Sequence, residues 1–267
     1  MSETINKIAG RRTALRALGL AFAAGGLSEL LPAPAHAAPE ASEVPHGATA
    51  LAVLTRRLAG APRRRDFKTV PMILNSPDQW DSEALSEVLA YKPATKQAWD
   101  NTDISGPWLN VMRNSLNAQI WSFGHPDFLV VSATHGPAQF ALYDQATWDK
   151  YGLAKLAGNG FDKNTFIIEK KAADADPANY QDPAGVFSGA NSSVPALQRR
   201  GVVFMACHNA IWEHATRIHN SDANPDKATI EVLAAELSNH LVPGVVLIPG
   251  AVATLVELQQ AGFHYAR

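Results

Sequence analysis

Short, almost wholly apolar runs recur along this chain, and a segment with helical periodicity follows each of them. The runs occupy residues 127–133, 201–206 and 245–248. A strand that is buried on both faces of a sheet has this composition. Strands of this kind alternate with helices in α/β proteins. The pattern therefore predicts an α/β fold with a mainly parallel sheet.

Apolar spacing predicts the remaining elements. Residues 67–74 alternate loosely and predict a further strand, residues 263–265 predict a short edge strand, and residues 92–107 are polar and rich in turns. Helices are predicted where apolar residues recur at intervals of three and four. They are predicted over residues 51–58, 81–91, 108–121, 137–143, 211–218, 227–240 and 252–260. The irregular stretch 158–195 is predicted to be a long insert in a single domain, residues 67–267.

Residues 1–37 have the features of an export signal. Arg11 and Arg12 precede a weakly apolar stretch, residues 17–31, and a small-x-small cleavage site ends at Ala37. The paired arginines resemble a twin-arginine (Tat) signal. We therefore expect this segment to engage the Tat export machinery and to be cleaved near Ala37, which makes the protein periplasmic.

Two alternatives for the N-terminal segment stay open. One is a transmembrane helix, but the apolar stretch is shorter than the ~20 residues that span a membrane, and it contains Gly25, Gly26 and Glu29. We therefore expect no stable membrane insertion. The other is an amphipathic helix of a cytoplasmic protein. Residues 38–66 are predicted to be a linker and a short helix.

Charge and motifs exclude several classes of protein. The formal net charge is −2, which argues against a general nucleic-acid partner. The basic run at residues 63–65 predicts a solvated turn. The sequence has no dinucleotide-binding, Walker A, zinc-protease or nucleophile-elbow motif. A single cysteine, Cys207, excludes an intrachain disulfide and any site that needs two thiolates from one chain. No cofactor is predicted.

Cys207 follows one of the apolar runs and precedes a helical segment. Open α/β sheets place catalytic groups at the carboxyl ends of their strands, and a helix N-terminus stabilises an anion. We therefore expect a nucleophilic thiol whose pKa lies below its usual value of about 8.5. His135, His208 and His214 are candidates for a base or a nearby positive charge. The predicted catalytic residues are Cys207, His135 and His208.

Other roles for these residues stay open. Cys207 can be a small buried residue that fills space, and His135 can hydrogen-bond the backbone of a turn. A copper or zinc site would use Cys207, His208, His214 and His219, although the regular i, i+4 spacing of helical metal ligands is absent.

Four segments resemble the DsrE/DsrF-like family of small sulfur-handling proteins. Residues 114–118 resemble the end of the family's first helix, and residues 130–138 resemble a strand that is followed by His-Gly-Pro-Ala. Residues 201–209 resemble the strand and Cys-x-Asn turn, and residues 241–265 resemble the closing strand, helix and terminal Gly-[Phe/Tyr]-x-Tyr. The turn commonly reads Cys-Gly-Asn in the family and reads Cys-His-Asn here.

This resemblance implies a flavodoxin-like open sheet with helices on both faces and assembly into homo-oligomers, which are trimers or hexamers in many members. It also implies that Cys207 carries or relays sulfur as a persulfide, a sulfurtransferase-like activity with an unidentified donor and acceptor. The alternative is a non-catalytic member with a structural cysteine that uses the fold to form oligomers or to bind a small ligand or metal.

Overall fold

The computed structural model describes residues 43–158, 160–169 and 177–267. All of these residues belong to one unit, His36–Arg267. The predicted signal segment, residues 1–37, lies outside the described residues, so its export and its cleavage stay predictions. None of the helices in the described ranges is long and apolar enough to cross a membrane.

Five strands of the described chain form one open sheet. They are β1 (Lys96–Asn101), β2 (Leu129–Thr134), β3 (Val203–Cys207), β4 (Val246–Ile248) and β5 (His264–Ala266). Their order across the sheet is β4-β3-β2-β1-β5, and all neighbouring pairs are parallel. β2 and β3 are buried along their whole length, which explains their apolar runs. The predicted α/β fold with a mainly parallel sheet is confirmed.

The helices of the described ranges cover both faces of the sheet. They are α1 (Thr49–Gly60), α2 (Ser82–Leu89), α3 (Trp108–Asn117), α4 (Gln145–Tyr151), α5 (Leu153–Ala157), α6 (Val194–Arg199), α7 (His208–His219), α8 (Ile230–Asn239) and α9 (Ala251–Gln260). Helices α3 to α8 pack mainly on what we call the first face. Helices α1, α2 and α9 pack on the second face. The flavodoxin-like arrangement, with helices on both faces, is confirmed.

Alternate residues of β3 enter the two cores. Phe204 and Ala206 belong to the core under the first face, and Val203, Met205 and Cys207 belong to the core under the second. Successive side chains of a strand point to opposite faces, so both sets must be apolar when both faces are covered. The thiol therefore lies on the side of the sheet that α1, α2 and α9 cover.

β1 lies within residues 92–107, which sequence alone predicts to be polar and turn-rich. Its polar side chains are buried with partners: Asn101 donates to the Ser132 hydroxyl at 2.7 Å, and Lys96 donates to the Tyr91 carbonyl at 2.5 Å. Because these bonds satisfy the buried groups, β1 pairs with β2 along all six of its residues. The turn prediction was wrong because composition does not show which polar groups find partners.

The strand predicted for residues 67–74 does not form; this stretch runs as irregular chain along α8. Phe67 N–H donates to the Asn239 side chain at 3.0 Å. Val70 N–H donates to the carbonyl of Glu231 at 3.2 Å. Pro71, in the middle of the stretch, has no N–H group to give to a sheet.

The arginine run at residues 63–65 is not a solvated turn. Asp81, which is fully buried, accepts from the guanidinium of Arg65 at 3.0 Å and from the backbone N–H groups of Arg64 at 2.8 Å and Leu247 at 2.7 Å. The guanidinium of Arg65 also donates to the carbonyl of Val245 at 2.8 Å. The run therefore joins the chain before α2 to β4 through a buried ion pair.

The insert near residues 158–195 contains short helical elements in its described part. Thr165–Ile167, Pro177–Asn179 and Gly189–Asn191 form 3₁₀ turns, and α6 begins at Val194. The helix predicted for residues 137–143 is also a 3₁₀ helix, Gly136–Leu142. This last element shapes the candidate site.

Candidate functional site

Cys207 is the last residue of β3 and lies beside a strand whose following helix packs on the other face of the sheet. β3 leads directly into α7 on the first face, whereas the neighbouring strand β4 leads into α9 on the second face. Adjacent strands whose following helices lie on opposite faces leave a crevice at their carboxyl ends, and α/β proteins bind ligands there. Cys207 is in register with Ile248 of β4 across this boundary. The structure therefore places the thiol at the topological switch point.

The Cys207 sulfur lies between the N-termini of two helices. Ala251 N–H, the first residue of α9, donates to Sγ at 3.2 Å. The N–H groups of Asn209 and Ala210, in the first turn of α7, also favour the thiolate. Unpaired N–H groups at helix N-termini carry partial positive charge. This arrangement can hold an anionic sulfur atom without a side-chain cation.

Burial outweighs these N–H groups in the resting protein. Cys207 is only 4% exposed, and burial raises the pKa of its thiol above the ordinary value despite the three backbone donors. The expectation of a lowered pKa was wrong, because loss of hydration disfavours the thiolate more than the helix N-termini favour it. The resting group is therefore a protonated thiol.

Gln139, which sequence analysis missed, fixes the backbone of Cys207. Its amide oxygen accepts from Cys207 N–H at 2.7 Å, and its amide nitrogen donates to the Cys207 carbonyl at 3.0 Å. Gln139 is fully buried in the 3₁₀ helix after β2. A glutamine within an otherwise apolar segment is the one signal that points to such a role, because a buried amide needs partners.

The start of α7 and the start of α9 also touch through a glycine. A Cβ atom built on Gly250 would lie 2.9 Å from the side-chain nitrogen of Asn209. Any larger residue at Gly250 would push this amide away. Asn209 is exposed, so its amide is a polar group at the edge of the crevice that holds Cys207.

His208 is buried beside the irregular segment 67–74. Its Nε2 donates to the Pro71 carbonyl at 2.8 Å, since a carbonyl only accepts, and its Nδ1 is buried without a hydrogen-bond partner in the described structure. Burial lowers the pKa of this imidazole. His208 is therefore neutral near pH 7 and does not supply the positive charge that its position beside Cys207 suggests.

His214 is a core residue. Its ring stacks on Phe140 with centroids 4.0 Å apart, and its Nδ1 lies 3.1 Å from the Tyr143 hydroxyl. Burial lowers the pKa of His214 to about 3. The ring is therefore neutral at physiological pH and supplies no charge to Cys207.

The metal alternative is not assembled in the described ranges. No group of three His, Cys, Asp or Glu side chains there is placed to hold a metal ion. His208 bonds Pro71, His214 bonds Tyr143, and the ring of His219 bonds the carbonyl of Ala228. Each of these bonds occupies one nitrogen of its ring, so each histidine keeps at most one nitrogen for a metal ion.

His135 lies at the carboxyl edge of the sheet and belongs to a separate polar chain. Its Nε2 is 2.8 Å from the Asp100 carboxylate, whose second oxygen accepts from the Tyr265 hydroxyl at 2.9 Å. Because a carboxylate only accepts, neutral His135 carries its proton on Nε2 and leaves Nδ1 as an acceptor. Among the described contacts, no histidine ring bonds Sγ of Cys207.

Comparisons with protein-family models, curated proteins and solved structures give no match to this chain. What the site can do therefore follows from its own chemistry. It offers a buried nucleophile between two helix N-termini, and it offers a partly exposed His135–Asp100 pair at the same edge of the sheet.

Proposed function

We propose that this protein carries sulfane sulfur as a persulfide on Cys207. The position of Sγ between the N-termini of α7 and α9 carries this proposal. A persulfide is an anion at the end of a short side chain, and backbone N–H groups at helix N-termini stabilise such an anion. The resemblance of four segments to the DsrE/DsrF-like family supports the same function.

Loading of the cysteine is proposed to use an inorganic polysulfide as the donor. The Cys207 thiol first gives its proton to a base. The thiolate then attacks a terminal sulfur of the donor, so that a new Sγ–S bond forms while the adjacent S–S bond of the donor breaks. The electron pair leaves with the shortened polysulfide dianion, and a persulfide anion stays on Cys207. Atoms and charge balance without an oxidant.

His135 is proposed as the base at the edge of the sheet. The hydrogen bond from Nε2 to Asp100 leaves Nδ1 free to accept a proton, directly or through water. His208 is proposed as a positioning residue, because its bond to the Pro71 carbonyl fixes the segment that lies over it. Replacement of His135 by Gln is expected to slow the loading of Cys207 with sulfur. Replacement of His208 by Gln is expected to change the loading rate indirectly, because the segment that contains Pro71 is no longer fixed by the ring.

Intact-mass spectrometry tests the loading of Cys207. The protein is incubated with polysulfide and freed of excess donor by gel filtration. We expect the wild type to gain about 32 Da, the mass of one sulfur atom, and Cys207→Ser to gain none. Dithiothreitol treatment, which reduces persulfides, is expected to reverse the gain. Absence of the gain in the wild type, or an equal gain in Cys207→Ser, sinks the proposal.

The burial of Cys207 favours a second candidate, a non-catalytic protein with a structural cysteine. At 4% exposure and with a raised pKa, the thiol resembles an inert core residue. Iodoacetamide separates the two functions. Alkylation of the folded protein favours the carrier, whereas a thiol that reacts only after denaturation favours the structural role.

We also propose that the protein is exported through the Tat pathway and acts in the periplasm. The support is the sequence of residues 1–37, with Arg11 and Arg12 before the apolar stretch. The first residue of the protein recovered from a periplasmic fraction is expected to be Ala38. Replacement of Arg11 and Arg12 by Lys is expected to retain the full chain inside the cell.

Assembly into a homo-oligomer is part of the proposal. Three apolar side chains near the Cys207 crevice are strongly exposed, namely Met72, Ile73 and Val252. Met72 lies beside His208, and Val252 follows Ala251 in α9. Light scattering is expected to give a multiple of the chain mass, and Ile73→Ser with Val252→Ser is expected to lower it. A monomer at all concentrations contradicts this part.

A further inference from the structure

A cavity lies at the end of the sheet opposite to Cys207. A cavity of about 370 Å³ adjoins the amino ends of β3 and β4, between the last turn of α1 and the turn before β4. Much of its wall is apolar. The apolar contacts come from Leu58, Ala59, Val202, Val242 and Pro243. Its volume falls within the range of ~300–1,000 Å³ that is typical of small-molecule sites.

Arg63 brings a positive charge to this wall. Its side chain is 11% exposed. Nη1 donates to the carbonyls of Ala61 at 3.1 Å and Pro62 at 3.5 Å, whereas Nε is buried with no hydrogen-bond partner in the described structure. Burial lowers the pKa of this guanidinium. A guanidinium that is buried this deeply is costly unless an anion approaches it.

The nearest carboxylate does not satisfy Arg63. Asp81 Oδ2 is 4.0 Å from Nε of Arg63, beyond hydrogen-bond distance. Both oxygens of Asp81 already accept from other groups, which are the Arg65 guanidinium and the backbone N–H groups of Arg64 and Leu247. One carboxylate thus serves two guanidinium groups, and that of Arg63 is the less well paired.

The other charged groups of the cavity wall are paired with each other. Nε of Arg199 donates to Glu43 at 2.9 Å, and its Nη1 contacts Glu169. The charge of Arg199 is therefore already neutralised by two carboxylates, so this side chain is not available to a ligand. Glu169 on the wall is bound to Arg199, which limits its repulsion of an incoming anion. Arg63 is left as the cation available to a ligand.

We infer that this cavity binds a small amphipathic carboxylate, with its apolar part against Leu58, Val202 and Val242 and its acid group on Arg63. A guanidinium pairs with a carboxylate through two parallel N–H···O bonds. The apolar wall gains from the removal of hydrocarbon surface from water. This site is independent of the sulfur chemistry proposed at Cys207, because it lies at the other end of the strands.

Isothermal titration of the full-length protein tests the inference with three probes. Octanoate has both an apolar chain and an acid group, octan-1-ol lacks the charge, and acetate lacks the chain. We expect octanoate to bind at one site per chain. We expect octan-1-ol to bind at least ten times more weakly, because one charge-assisted pair is lost. Acetate is expected to give no measurable heat.

Two variants locate the binding. Arg63→Gln removes the charge and is expected to weaken octanoate binding at least tenfold. Its matched control is Arg57→Gln, an arginine of α1 that is exposed and pairs with Glu87 on the surface. Ala59→Trp fills the mouth from an exposed position of α1 and is expected to abolish binding without loss of the fold, which circular dichroism checks.

Three results overturn the inference. One is the absence of octanoate binding to the wild type. Another is equal affinity for octanoate and octan-1-ol, which would mean that Arg63 does not recognise the acid group. The third is unchanged octanoate affinity in both Arg63→Gln and Ala59→Trp, which would place the ligand elsewhere on the protein.

Discussion

The sulfur atom of Cys207 is held by opposing influences whose balance sets its reactivity. Backbone N–H groups of α7 and α9 favour the thiolate, and burial favours the thiol. Burial is the larger influence, so the thiolate exists mainly above the ordinary thiol pKa of about 8.5. The fold therefore shields the thiol at rest, and only a small fraction of the molecules carry the nucleophilic thiolate at any time.

The first prediction concerns the pH dependence of alkylation at Cys207. Because burial raises the pKa of the thiol, the rate with iodoacetamide is expected to keep rising above about pH 8.5. The same chain in urea, where the thiol is solvated, is the control and is expected to level off at lower pH. A folded-state rate that is already maximal near neutral pH contradicts the raised pKa.

The second prediction concerns the backbone of Cys207. Gln139→Met leaves the N–H group of Cys207 buried without a partner, while the Cys207 carbonyl, at the N-cap of α7, keeps its bond within the helix. We expect the free energy of unfolding to fall by about 1–3 kcal/mol in urea titrations, the cost of one unpaired buried group. Gln259→Met, at an exposed position of α9, is the control. Equal stability of the two variants refutes the role of Gln139.

The third prediction concerns the buried imidazole of His214. Burial lowers its pKa to about 3 in the folded protein, while the unfolded value is near 6.5. Between these values the unfolded chain binds the extra proton, so stability falls as pH drops below about 6.5. His214→Phe is expected to reduce the stability lost between pH 7 and pH 5 by about 1–2 kcal/mol.

His264→Gln, at an exposed histidine of β5, is the control for that pH series. We expect it to keep the wild-type pH dependence in urea titrations. If His214→Phe also keeps the wild-type dependence, the acid sensitivity comes from other groups, and the buried neutral state of His214 is not its cause.

At the scale of elements, the chain before α2 is joined to β4 by one buried carboxylate. Asp81 bonds Leu247 of β4 and the run of arginines at once. The fourth prediction follows: Asp81→Asn is expected to lower the free energy of unfolding by about 3 kcal/mol or more, because buried guanidinium groups lose their counter-ion. Urea unfolding measures this loss.

Glu83→Gln is the matched control for Asp81→Asn. Glu83 pairs with Arg64 of the same arginine run, but at the surface, where such pairs contribute little. We expect this variant to keep the wild-type stability. A loss in Glu83→Gln as large as that in Asp81→Asn would mean that burial of the ion pair is not what matters.

The elements that sequence predicts well are those whose burial produces a run of apolar residues along the chain. β2 and β3 are buried on both faces, and their apolar runs show it. β1 was missed because Lys96 and Asn101 are buried through bonds to Tyr91 and Ser132, which no linear pattern reveals. Secondary structure that depends on side-chain partners cannot be recognised before those partners are known.

The candidate site was predicted only in part for the same reason. The place of Cys207 at a strand end follows from the chain pattern. The Gln139 side chain that bonds the Cys207 backbone and the Ala251 N–H that donates to Sγ come from segments that are distant in sequence. The direction of the thiol pKa also depends on burial by α9, and helix position alone predicted the opposite direction.

At the scale of the whole molecule, the sheet is stable at its centre and weak at one edge. β2 and β3 are fully buried, whereas β5 has three residues, of which two are exposed. The fifth prediction is that amide hydrogen exchange is slowest in β2 and β3 and much faster in β5. Mass spectrometry of peptic fragments measures it. Equal protection of β3 and β5 would contradict this gradient of stability.

Helix α9 has a consequence for how the protein is made. It carries the chain from β4 across the second face to β5, which pairs with β1 at the far side of the sheet. As a nascent chain emerges from the ribosome, β1 to β4 can pair in order, but one edge of β1 stays open until residues 264–266 appear. An open edge invites pairing with other chains. Protection of this edge from misassembly is thus completed only after translation of β5.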